Sequence, residues 1–417
     1  MKVLVLGSGA REHAITWKFS KSKRISGLFV APGNAGTEEL GENLPDLDMT
    51  NADAIVETCR AKKIDFVFVG SEQPLAAGVV DRLIAEGIHA FGPTKKAAEL
   101  EASKAFSKKF MADHGIPTAD YREFSNDEEF IGYMKSHTGR VVVKKSGLAA
   151  GKGVSDSEDR DELIEFGKKA VAHDRIIVED YLAGYELSVF ALTDGRSWVL
   201  LPVCADFKKA EEGDRGKNTG GMGAVCPVPA VDSELLKTIQ RTIIEPTFSG
   251  MAQEGLSYKG VLYFGLINTE KGPRLLEYNV RFGDPEAQVL LPLVESDFAN
   301  LMDAIIDEKL DQFPLRISDR SALAVVIASK GYPDSYRKGC RVDSLPSFPE
   351  NDALLFHAST KNEHGGKIVT GGGRCFTVVG MGSNLLAANV RAYEAAERIT
   401  FDGAWYRRDI GKKFFID

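Results

Sequence analysis

The chain has 417 residues, a length that fits two to four domains and a substantial buried core. Hydrophobic residues make up 43% and charged residues 27%, as in an ordinary globular protein, and no apolar run is long enough to cross a bilayer. The net charge of −8 argues against nucleic acid as a partner, and five cysteines without a CxxC pair predict reduced thiols. Because the chain starts directly with a strand pattern, we expect no membrane contact and a cytoplasmic location.

The first hundred residues alternate between strand and helix patterns. Each of four short apolar runs ends at a glycine-containing turn: KVLVLG, GLFVAPG, IDFVFVG and HAFGP. Continuously apolar runs predict a parallel sheet covered on both faces, and therefore a Rossmann-like domain over residues 1–101. The basic run Lys18 to Arg24 is interpreted as the solvated end of the first helix, and His13 and His114 as helix-surface residues.

Two further domains are predicted, so the fold class is α/β with three domains. Residues 102–318 contain a helix from Ser103, the strand patterns VVVKK, RIIVEDYL and ELSVFALTDG, and a polar loop at 208–223. One long helix to about residue 255 and two strands, YKGVLYFGLINT and PRLLEYNVRFG, follow. Residues 319–417 carry three more strand patterns and a helix, which predict a small α+β domain.

A glycine-rich loop, KKSGLAAGKGV, runs from Lys144 to Val154. A Walker A loop has four residues between its first glycine and the Gly-Lys pair, followed by Ser or Thr and a helix. Here Gly147 and Gly151 bracket only three residues, Gly153 follows Lys152, and the next residues favour a strand or turn. The loop is therefore not a Walker A. An ordinary glycine-rich hairpin is one interpretation, and a flap that closes over a polyphosphate is the other.

The first loop, GSGAREH, follows the first strand and invites a dinucleotide-binding interpretation. Glu12 stands where the third glycine of GxGxxG belongs, and no acidic residue ends the second strand, so a dehydrogenase is disfavoured. The pattern that remains is a tight turn at a helix N-terminus with Arg11 in the first turn. Such a turn suits a single phosphate, and it also suits a plain Rossmann connection.

The strand pattern LLEYNVRFGDPEAQ carries the chemistry of a cation site. Strict alternation along a strand puts Glu277, Asn279 and Arg281 on one face, and Leu276, Tyr278 and Val280 on the other. A carboxylate and an amide oxygen two residues apart are hard ligands suited to magnesium. An arginine beside them can bind a carboxylate or a phosphate.

A second glycine-rich stretch, GKNTGGMGAVCP, runs from Gly216 to Pro227. It offers backbone N–H groups together with the side chains of Asn218 and Thr219. It is interpreted either as a long solvent loop or as a lid that becomes ordered when a ligand binds.

In this order, the motifs resemble those of the phosphoribosylamine–glycine ligase family of ATP-grasp enzymes, also called glycinamide ribonucleotide synthetases. The matching stretches span the chain: GSGAREHA, VAPGNAGT, FGPTKKAAELEASKAF, GLAAGKGV, NTGGMGA, EYNVRFGDPE, GGGR and RRDIG. The resemblance implies a central ATP-grasp domain with a glycine-rich flap, whose flap subdomain covers about residues 118–192. In that fold ATP lies between two sheets rather than at a helix N-terminus.

The resemblance also implies roles for individual residues. Those expected at ATP are Lys104, Lys144, Gly151, Lys152, Glu179, Asp180, Tyr181, Leu182, Glu186 and Asn218, with Glu179 to Leu182 as the hinge that meets the adenine and Glu186 at the ribose. Those expected at magnesium, or at manganese in its place, are Glu277 and Asn279. Those expected at glycine or 5-phosphoribosylamine are Gly9, Arg11, Glu12, Asn34, Glu72, Asp206, Lys208, Thr219, Gly220, Gly221 and Arg281. Arg281, Lys144 and Asp284 are expected to act in catalysis.

The implied reaction has two steps. The glycine carboxylate attacks the γ-phosphate of ATP to give glycyl phosphate and ADP, and the amine of 5-phosphoribosylamine then displaces phosphate. Since no covalent enzyme nucleophile is needed, positioning and charge neutralisation would carry the catalysis. A monomer or weak homodimer is expected.

Several positions differ from the family pattern, among them Ser71, Ser146, Tyr185 and Phe207. We expect them to line the substrate rim and the nucleotide hinge, and so to affect substrate affinity more than turnover. Two other hypotheses stay open at this point. The chain is either a carboxylate–amine ligase with other substrates, or a nucleotide-binding relative without activity.

Overall fold

A computed structural model describes residues 1–149, 153–363 and 366–415. Its first part is a parallel sheet in the order β5-β4-β1-β2-β3. The strands are β1 Lys2–Gly7, β2 Gly27–Pro32, β3 Glu42–Asn43, β4 Phe66–Val69 and β5 His89–Pro93. The helices are α1 Ala10–Ser20, α2 Ala52–Lys62, α3 Glu72–Ala77, α4 Val79–Ala85 and α5 Lys95–Ala102.

The predicted parallel sheet is confirmed, and both of its faces are covered. Along β1, Leu4 and Leu6 pack into one apolar core, and Val3 and Val5 into another. The helix pattern after Ser71 is divided in two, because Gly78 at φ 87° takes the left-handed conformation that ends α3.

The central part begins with a small sheet in the order β6-β9-β7-β8, and its strands β6, β7 and β9 share a separate core with the helices α7 and α8. Its elements are α6 Lys104–Asp113, β6 Tyr121–Phe124, α7 Asp127–Ser136, β7 Val141–Lys145, β8 Val154–Ser155, α8 Arg160–Val171 and β9 Ile176–Asp180. The expected strand or turn after the glycine-rich loop is the short strand β8.

Next come the strands that flank the polar loop. They are β10 Tyr185–Thr193, β11 Trp198–Leu200, β12 Ala205–Asp206, β13 Lys209–Glu211, β14 Arg215–Asn218 and β15 Gly223–Cys226. The loop expected at 208–223 is thus largely a hairpin of β13 and β14. The sequence prediction was wrong here because such short polar strands lack the apolar alternation that marks a strand.

The rest of the central part is helical at first and then returns to the large sheet. Its elements are α9 Ser233–Ile239, α10 Glu245–Gln253, β16 Tyr258–Thr269, β17 Gly272–Asn279, α11 Glu286–Leu293 and α12 Phe298–Ile306. The predicted long helix contains a π-helical turn at Gln240–Ile244, which ends two residues before Pro246. A proline lacks the N–H group and crowds the carbonyl four residues back, so the helix widens there.

Two sheets cross the predicted domain boundaries. Strand β16 pairs with β5 at Tyr258 and Pro93, so that β10, β11, β16 and β17 extend the first sheet to nine strands. The last part of the chain contributes β18 Ser321–Ser329, β19 Val342–Ser344, β20 Ala353–His357, β21 Thr360–Glu363, β22 Lys367–Thr370, β23 Arg374–Gly382, α13 Leu385–Ala396, β24 Thr400–Phe401 and β25 Ala404–Trp405. In its six-stranded sheet, β15 of the central part pairs with β18.

Burial corrects two expectations for α1. His13 is only 7% exposed, and its Nδ1 accepts a hydrogen bond from the backbone N–H of His357. Lys18, expected in solvent, is buried and donates to the carbonyl of Val294. The helix is covered on both sides because β20 and α11 pack against it, which a local pattern does not reveal. His114 is half-buried and pairs with Glu254.

All five cysteines are free and buried. Within the residues that the structure describes, no helix is both long enough and apolar enough to cross a membrane.

Candidate active site

A buried group of two lysines and one glutamate lies beside the small sheet. Nζ of Lys144 on β7 lies 2.8 Å from Oε1 of Glu179 on β9, and Nζ of Lys108 on α6 lies 3.2 Å from Oε2. Burial alone would raise the pKa of Glu179, but the two ammonium groups hold it below its usual value. Burial lowers the pKa of Lys108 to about 8. Lys144 and Glu179 were predicted site residues, whereas Lys108 was not.

Lys104 is fixed at the start of α6, close to this group. Ser103 caps the helix by accepting a hydrogen bond from Phe106 N, and Lys104 N donates to the carbonyl of Ser146 at 2.9 Å. Burial lowers the pKa of Lys104, while the carboxylate of Glu277 opposes that shift and Lys144 adds to it. The charges of Lys104, Lys144 and Glu277 therefore lie close enough to influence one another.

The predicted nucleotide hinge connects two sheets. Glu179 and Asp180 end β9 in the small sheet, and Tyr181 and Leu182 lead to β10 in the large one. The guanidinium of Arg140 lies 3.7 Å above the Tyr181 ring. Two further residues expected at ATP, Gly151 and Lys152 in the glycine-rich loop, lie outside the described residues.

Glu186, expected at the ribose, is on β10 and forms an ion pair with Lys208. The Nζ of Lys208 also lies 3.8 Å from Asp206. Burial raises the pKa of Asp206 to about 7, against the lowering effect of Lys208. Burial lowers the pKa of Lys208, but Asp206 and Glu186 raise it well above its ordinary value. Two predicted substrate residues and the predicted ribose carboxylate are thus one charged cluster.

Strand β17 carries the two predicted metal ligands, with one departure from strict alternation. Gly265 pairs with Glu277 but Leu266 pairs with Leu275, so a β-bulge forms at Leu276. The core positions are consequently Leu275 and Tyr278, and Leu276 is only half-buried. The expectation for Leu276 was wrong, because a bulge depends on the partner strand.

The pair of Glu277 and Asn279 fits magnesium in its chemistry. Both side chains offer hard oxygens, and Oδ1 of Asn279 already accepts a hydrogen bond from Arg281 Nη2 at 2.9 Å. Among the described residues, no group of three or more His, Cys, Asp and Glu is placed to hold a metal ion. The remaining ligands of a magnesium ion would thus be phosphate oxygens and water, the usual arrangement in nucleotide sites.

Arg281 is held by carboxylates from the first domain. Its Nη2 lies 2.9 Å from Oε1 of Glu101, and its Nε lies 3.7 Å from Oε2 of Glu72. Glu101 also accepts the backbone N–H of Val280 at 2.8 Å. Burial raises the pKa of Glu101, and Arg281 opposes that shift. Glu101 was not predicted, although it lies only three residues before Lys104.

The first glycine turn, Gly7 to Gly9, is held by a side chain of the helix that follows it, α1. Glu12 accepts the N–H of Gly9 at 2.7 Å and pairs with Arg11 at 2.6 Å. Arg11 also donates to the carbonyl of Phe282 and lies 3.8 Å from Glu72. Arg11 thus joins the first domain to the segment that follows β17, and its guanidinium already has protein partners.

Asn34 fixes the next loop in a similar way. Its side-chain nitrogen donates to the carbonyls of Ser8 and His357, and its oxygen accepts from Gly36 N and Thr37 N. Both the nitrogen and the oxygen of the Asn34 amide therefore already have hydrogen-bond partners within the protein. A substrate contact at Asn34 would fall to its backbone or require these bonds to break.

Asp284 lies between the first glycine turn and the last sheet. Its Oδ1 accepts from Gln288 Nε2 at 2.7 Å, and its Oδ2 lies 3.2 Å from Arg374 Nη2. A Cβ placed on Gly9 would lie 3.4 Å from the same Oδ2. Burial raises the pKa of Asp284, but Arg374 and Arg11 hold it below its ordinary value. Arg374 belongs to the GGGR stretch, for which the sequence suggested no role.

The predicted lid is packed against the last domain. Thr219 Oγ1 donates to Lys208 O and accepts from Gly221 N, while Gly220 N donates to the Tyr332 hydroxyl. Asn218 ends β14. At the tip of the hairpin, Arg407 pairs with Asp214 at 3.0 Å.

Phe207 was expected at the substrate rim, and that expectation was wrong. Its side chain is only 2% exposed, and Lys413 Nζ lies 4.6 Å from the ring centroid. It belongs to the core between the hairpin and the C-terminal segment. The reason is that the C-terminal segment covers this residue, because the Phe414 ring lies edge-on to the Phe207 ring with 6.3 Å between their centroids.

The two sheets joined by a hinge, with buried lysines and the strand of the predicted metal ligands beside them, define an ATP-grasp protein. Three family models match in chain order: the phosphoribosylglycinamide synthetase N domain at 1–101, ATP-grasp (A) domain at 102–287 and C domain at 322–413. The chain belongs to the phosphoribosylglycinamide synthetase family.

Similar proteins extend over the full chain. The phosphoribosylamine–glycine ligase of Rhodopirellula baltica is 43% identical over 429 residues, covering 99% of this chain and 98% of that protein. The trifunctional purine biosynthetic protein adenosine-3 of Gallus gallus is 43% identical over 98% of this chain, which spans 42% of its length.

Solved structures agree with this assignment. The phosphoribosylamine–glycine ligase of Thermotoga maritima has a TM-score of 0.85 and 36% identity, covering 99% of this chain and 100% of that one. The biotin carboxylase domain of the Hydrogenobacter thermophilus 2-oxoglutarate carboxylase, solved with MgADP and bicarbonate, has a TM-score of 0.71 at 17% identity, covering 97% and 91%. That second likeness concerns the fold alone.

Proposed function

We propose that this protein joins glycine to 5-phosphoribosylamine with the cleavage of ATP, forming glycinamide ribonucleotide, ADP and phosphate in purine biosynthesis. One observation carries the proposal beyond family membership. Four cationic side chains, those of Lys208, Lys144, Lys104 and Arg281, act together on Glu277 and hold its pKa below the ordinary value against the effect of burial. Such a convergence suits a polyphosphate and a metal ion, which bring several charges of both signs into one pocket.

On the nucleotide side, Lys104 and Lys144 would neutralise the phosphates, and the segment from Glu179 to Leu182 would meet the adenine. Glu277 and Asn279 would hold the magnesium ion, which supplies positive charge at the transferring phosphoryl group. The bound glycine would lie near Arg281 and Asp284, since Arg281 follows Asn279 by two residues and Asp284 lies beside the first glycine turn.

The acceptor amine would enter from the first domain. The turn at Gly9 lies beside Asp284. Glu72 lies close to both Arg11 of the first domain and Arg281 of the central domain. With both substrates and ATP held in line, the chain has no need of its own nucleophile, because proximity lowers the barrier. The protein would contribute orientation, charge and exclusion of water.

The test is an ADP-release assay with MgATP, glycine and freshly prepared 5-phosphoribosylamine. We expect release that needs all three substrates, with ADP and phosphate as products. AMP and pyrophosphate would overturn the acyl-phosphate route. Release with other acids or amines in place of glycine or 5-phosphoribosylamine would instead identify a ligase of different specificity. Binding of MgATP without any turnover would identify an inactive relative.

A further inference from the structure

Lys108 is a buried ammonium group for which the proposed reaction has no use. It lies one helical turn after Lys104 on α6, and its side chain is 2% exposed. Its Nζ donates to Thr118 Oγ1 at 2.7 Å and lies 5.8 Å from the centroid of the Tyr121 ring. An ammonium buried to this extent is costly unless it is paired, so its partner is informative.

That partner is Glu179, which Lys108 shares with Lys144. One carboxylate oxygen lies 3.2 Å from Lys108 and the other 2.8 Å from Lys144, and the carboxylate itself is 3% exposed. Two cations therefore share one anion, and the group has a formal charge of +1. A nucleotide phosphate that attracts Lys144 would still leave Glu179 paired.

The position of Lys108 is fixed independently of Glu179. Thr118, which accepts from Lys108, donates its own hydroxyl proton to the carbonyl of Leu275 at 2.5 Å. Leu275 lies on β17, two residues before Glu277. Lys108 is thus linked through Thr118 to β17, which carries Glu277 and Asn279, while Lys144 lies on β7 of the small sheet.

We propose that Lys108 is a positioning residue for ATP binding, which acts through Glu179 to leave Lys144 free to bind a nucleotide phosphate. When Lys108 is present, Glu179 still has one cationic partner after Lys144 moves to the nucleotide. Without Lys108, the departure of Lys144 would strand a buried carboxylate, so Glu179 would compete with ATP for Lys144. This inference rests on the proposed use of ATP.

The experiment is calorimetric titration with MgATP in the absence of glycine, combined with steady-state kinetics. We expect Lys108→Met to raise the Kd and KM for ATP by about tenfold or more, the direction expected when a buried ion partner is removed. The kcat at saturating ATP should change far less. Lys108→Gln keeps a donor for Thr118 without the charge and should give the same shift, which covers the case that Lys108→Met folds poorly.

The second mutation separates positioning from packing. In the Glu179→Gln background, Lys108→Met should change the Kd for ATP by less than about threefold, because the competing carboxylate is gone. A packing role would give the same shift in both backgrounds and would overturn the proposal. Lys109→Met is the matched control: the neighbouring Lys109 is 73% exposed and pairs with Asp113, so its loss should leave the Kd unchanged.

The outcomes distinguish this inference from the proposed function. If the unmodified protein binds no MgATP, the proposed function fails and the role of Lys108 fails with it. If the unmodified protein binds and uses ATP, but Lys108→Met and Lys108→Gln bind it equally well, only the role of Lys108 is overturned.

Discussion

Arg374 of the last domain forms an ion pair with Asp284 of the central domain, with 3.2 Å between Nη2 and Oδ2. The same guanidinium donates to the backbone carbonyls of Gly220 and Asp284. One side chain of the C-terminal sheet therefore holds the end of the predicted lid and the carboxylate expected near glycine. The third domain is part of the candidate site and not only a cover over it.

We expect Arg374→Lys to raise the KM for glycine by about tenfold or more, because a lysine keeps the charge but cannot reach three acceptors at once. The KM for ATP should change less, since Arg374 touches no predicted nucleotide residue. Steady-state kinetics with each substrate varied in turn measures both values. Arg337→Lys is the control, because Arg337 forms an exposed pair with Asp402. An equal rise in both KM values would contradict a specific role at glycine.

Glu277→Gln should lower kcat by roughly 10² or more, as when charge stabilisation at a transferring group is lost. It should also raise the magnesium concentration needed for half-maximal turnover, because a neutral amide is the weaker ligand. Turnover measured across a magnesium titration tests both expectations. Normal turnover at low magnesium would rule out Glu277 as a metal ligand.

Glu101→Gln tests whether the first domain positions Arg281. The carboxylate of Glu101 binds both Arg281 Nη2 and Val280 N. The amide would keep one hydrogen bond but lose the charge, which should cost about 1–3 kcal/mol of unfolding free energy and lower kcat/KM for glycine. Urea unfolding and kinetics give the two values. The half-buried Glu99, two residues earlier on α5, has no side-chain hydrogen bond or ion pair to the described residues and provides the control Glu99→Gln. Unchanged kinetics in Glu101→Gln would show that Arg281 needs no such support.

Phe207→His should destabilise the protein without improving substrate affinity. The side chain of Phe207 lies in the core between Arg407 and Lys413. Replacing the ring with a smaller polar one beside two cations should cost about 2–4 kcal/mol, in the range of large core truncations. Thermal and urea unfolding measure the loss. A variant with normal stability and a lower KM would restore the substrate-rim interpretation.

The buried pair of His13 and His357 should make stability fall in mild acid. Burial lowers the pKa of His357 to about 4, and burial together with His357 lowers that of His13 as well. The unfolded chain, with a histidine pKa of about 6.5, binds protons first as the pH drops, so the folded state loses stability from about pH 6.5 down to the folded value. His357 alone should account for about 2 kcal/mol at pH 5.

Urea unfolding at pH 7 and pH 5 measures the expected loss of stability. The His357→Asn variant should start from a lower stability at pH 7 but lose about 2 kcal/mol less on acidification than the unmodified protein. His89→Asn, at the exposed start of β5, should leave the loss unchanged. Equal losses in all three proteins would show that carboxylate titration alone causes the acid effect.

Local patterns in the sequence were sufficient to predict much of this fold. Four of the five strands of the first sheet, the strands on either side of the glycine-rich loop and the strands β16 and β17 all appear where their apolar residues indicate. The reason is that a strand or helix is selected by residues close in sequence, whose period of apolar side chains sets which face is buried. The same two-residue period predicted that Glu277 and Asn279 lie on one face of β17.

The tertiary structure decided which distant groups meet. The pairing of β5 with β16 and of β15 with β18, the burial of His13 and Phe207, and the contacts of Lys108, Glu101 and Arg374 all join segments that lie far apart in the chain or at domain boundaries. No periodicity records such a contact, because it depends on which other segment covers a residue after folding. A buried charge is stable only beside its partner, and that partner is chosen by the packing of whole domains.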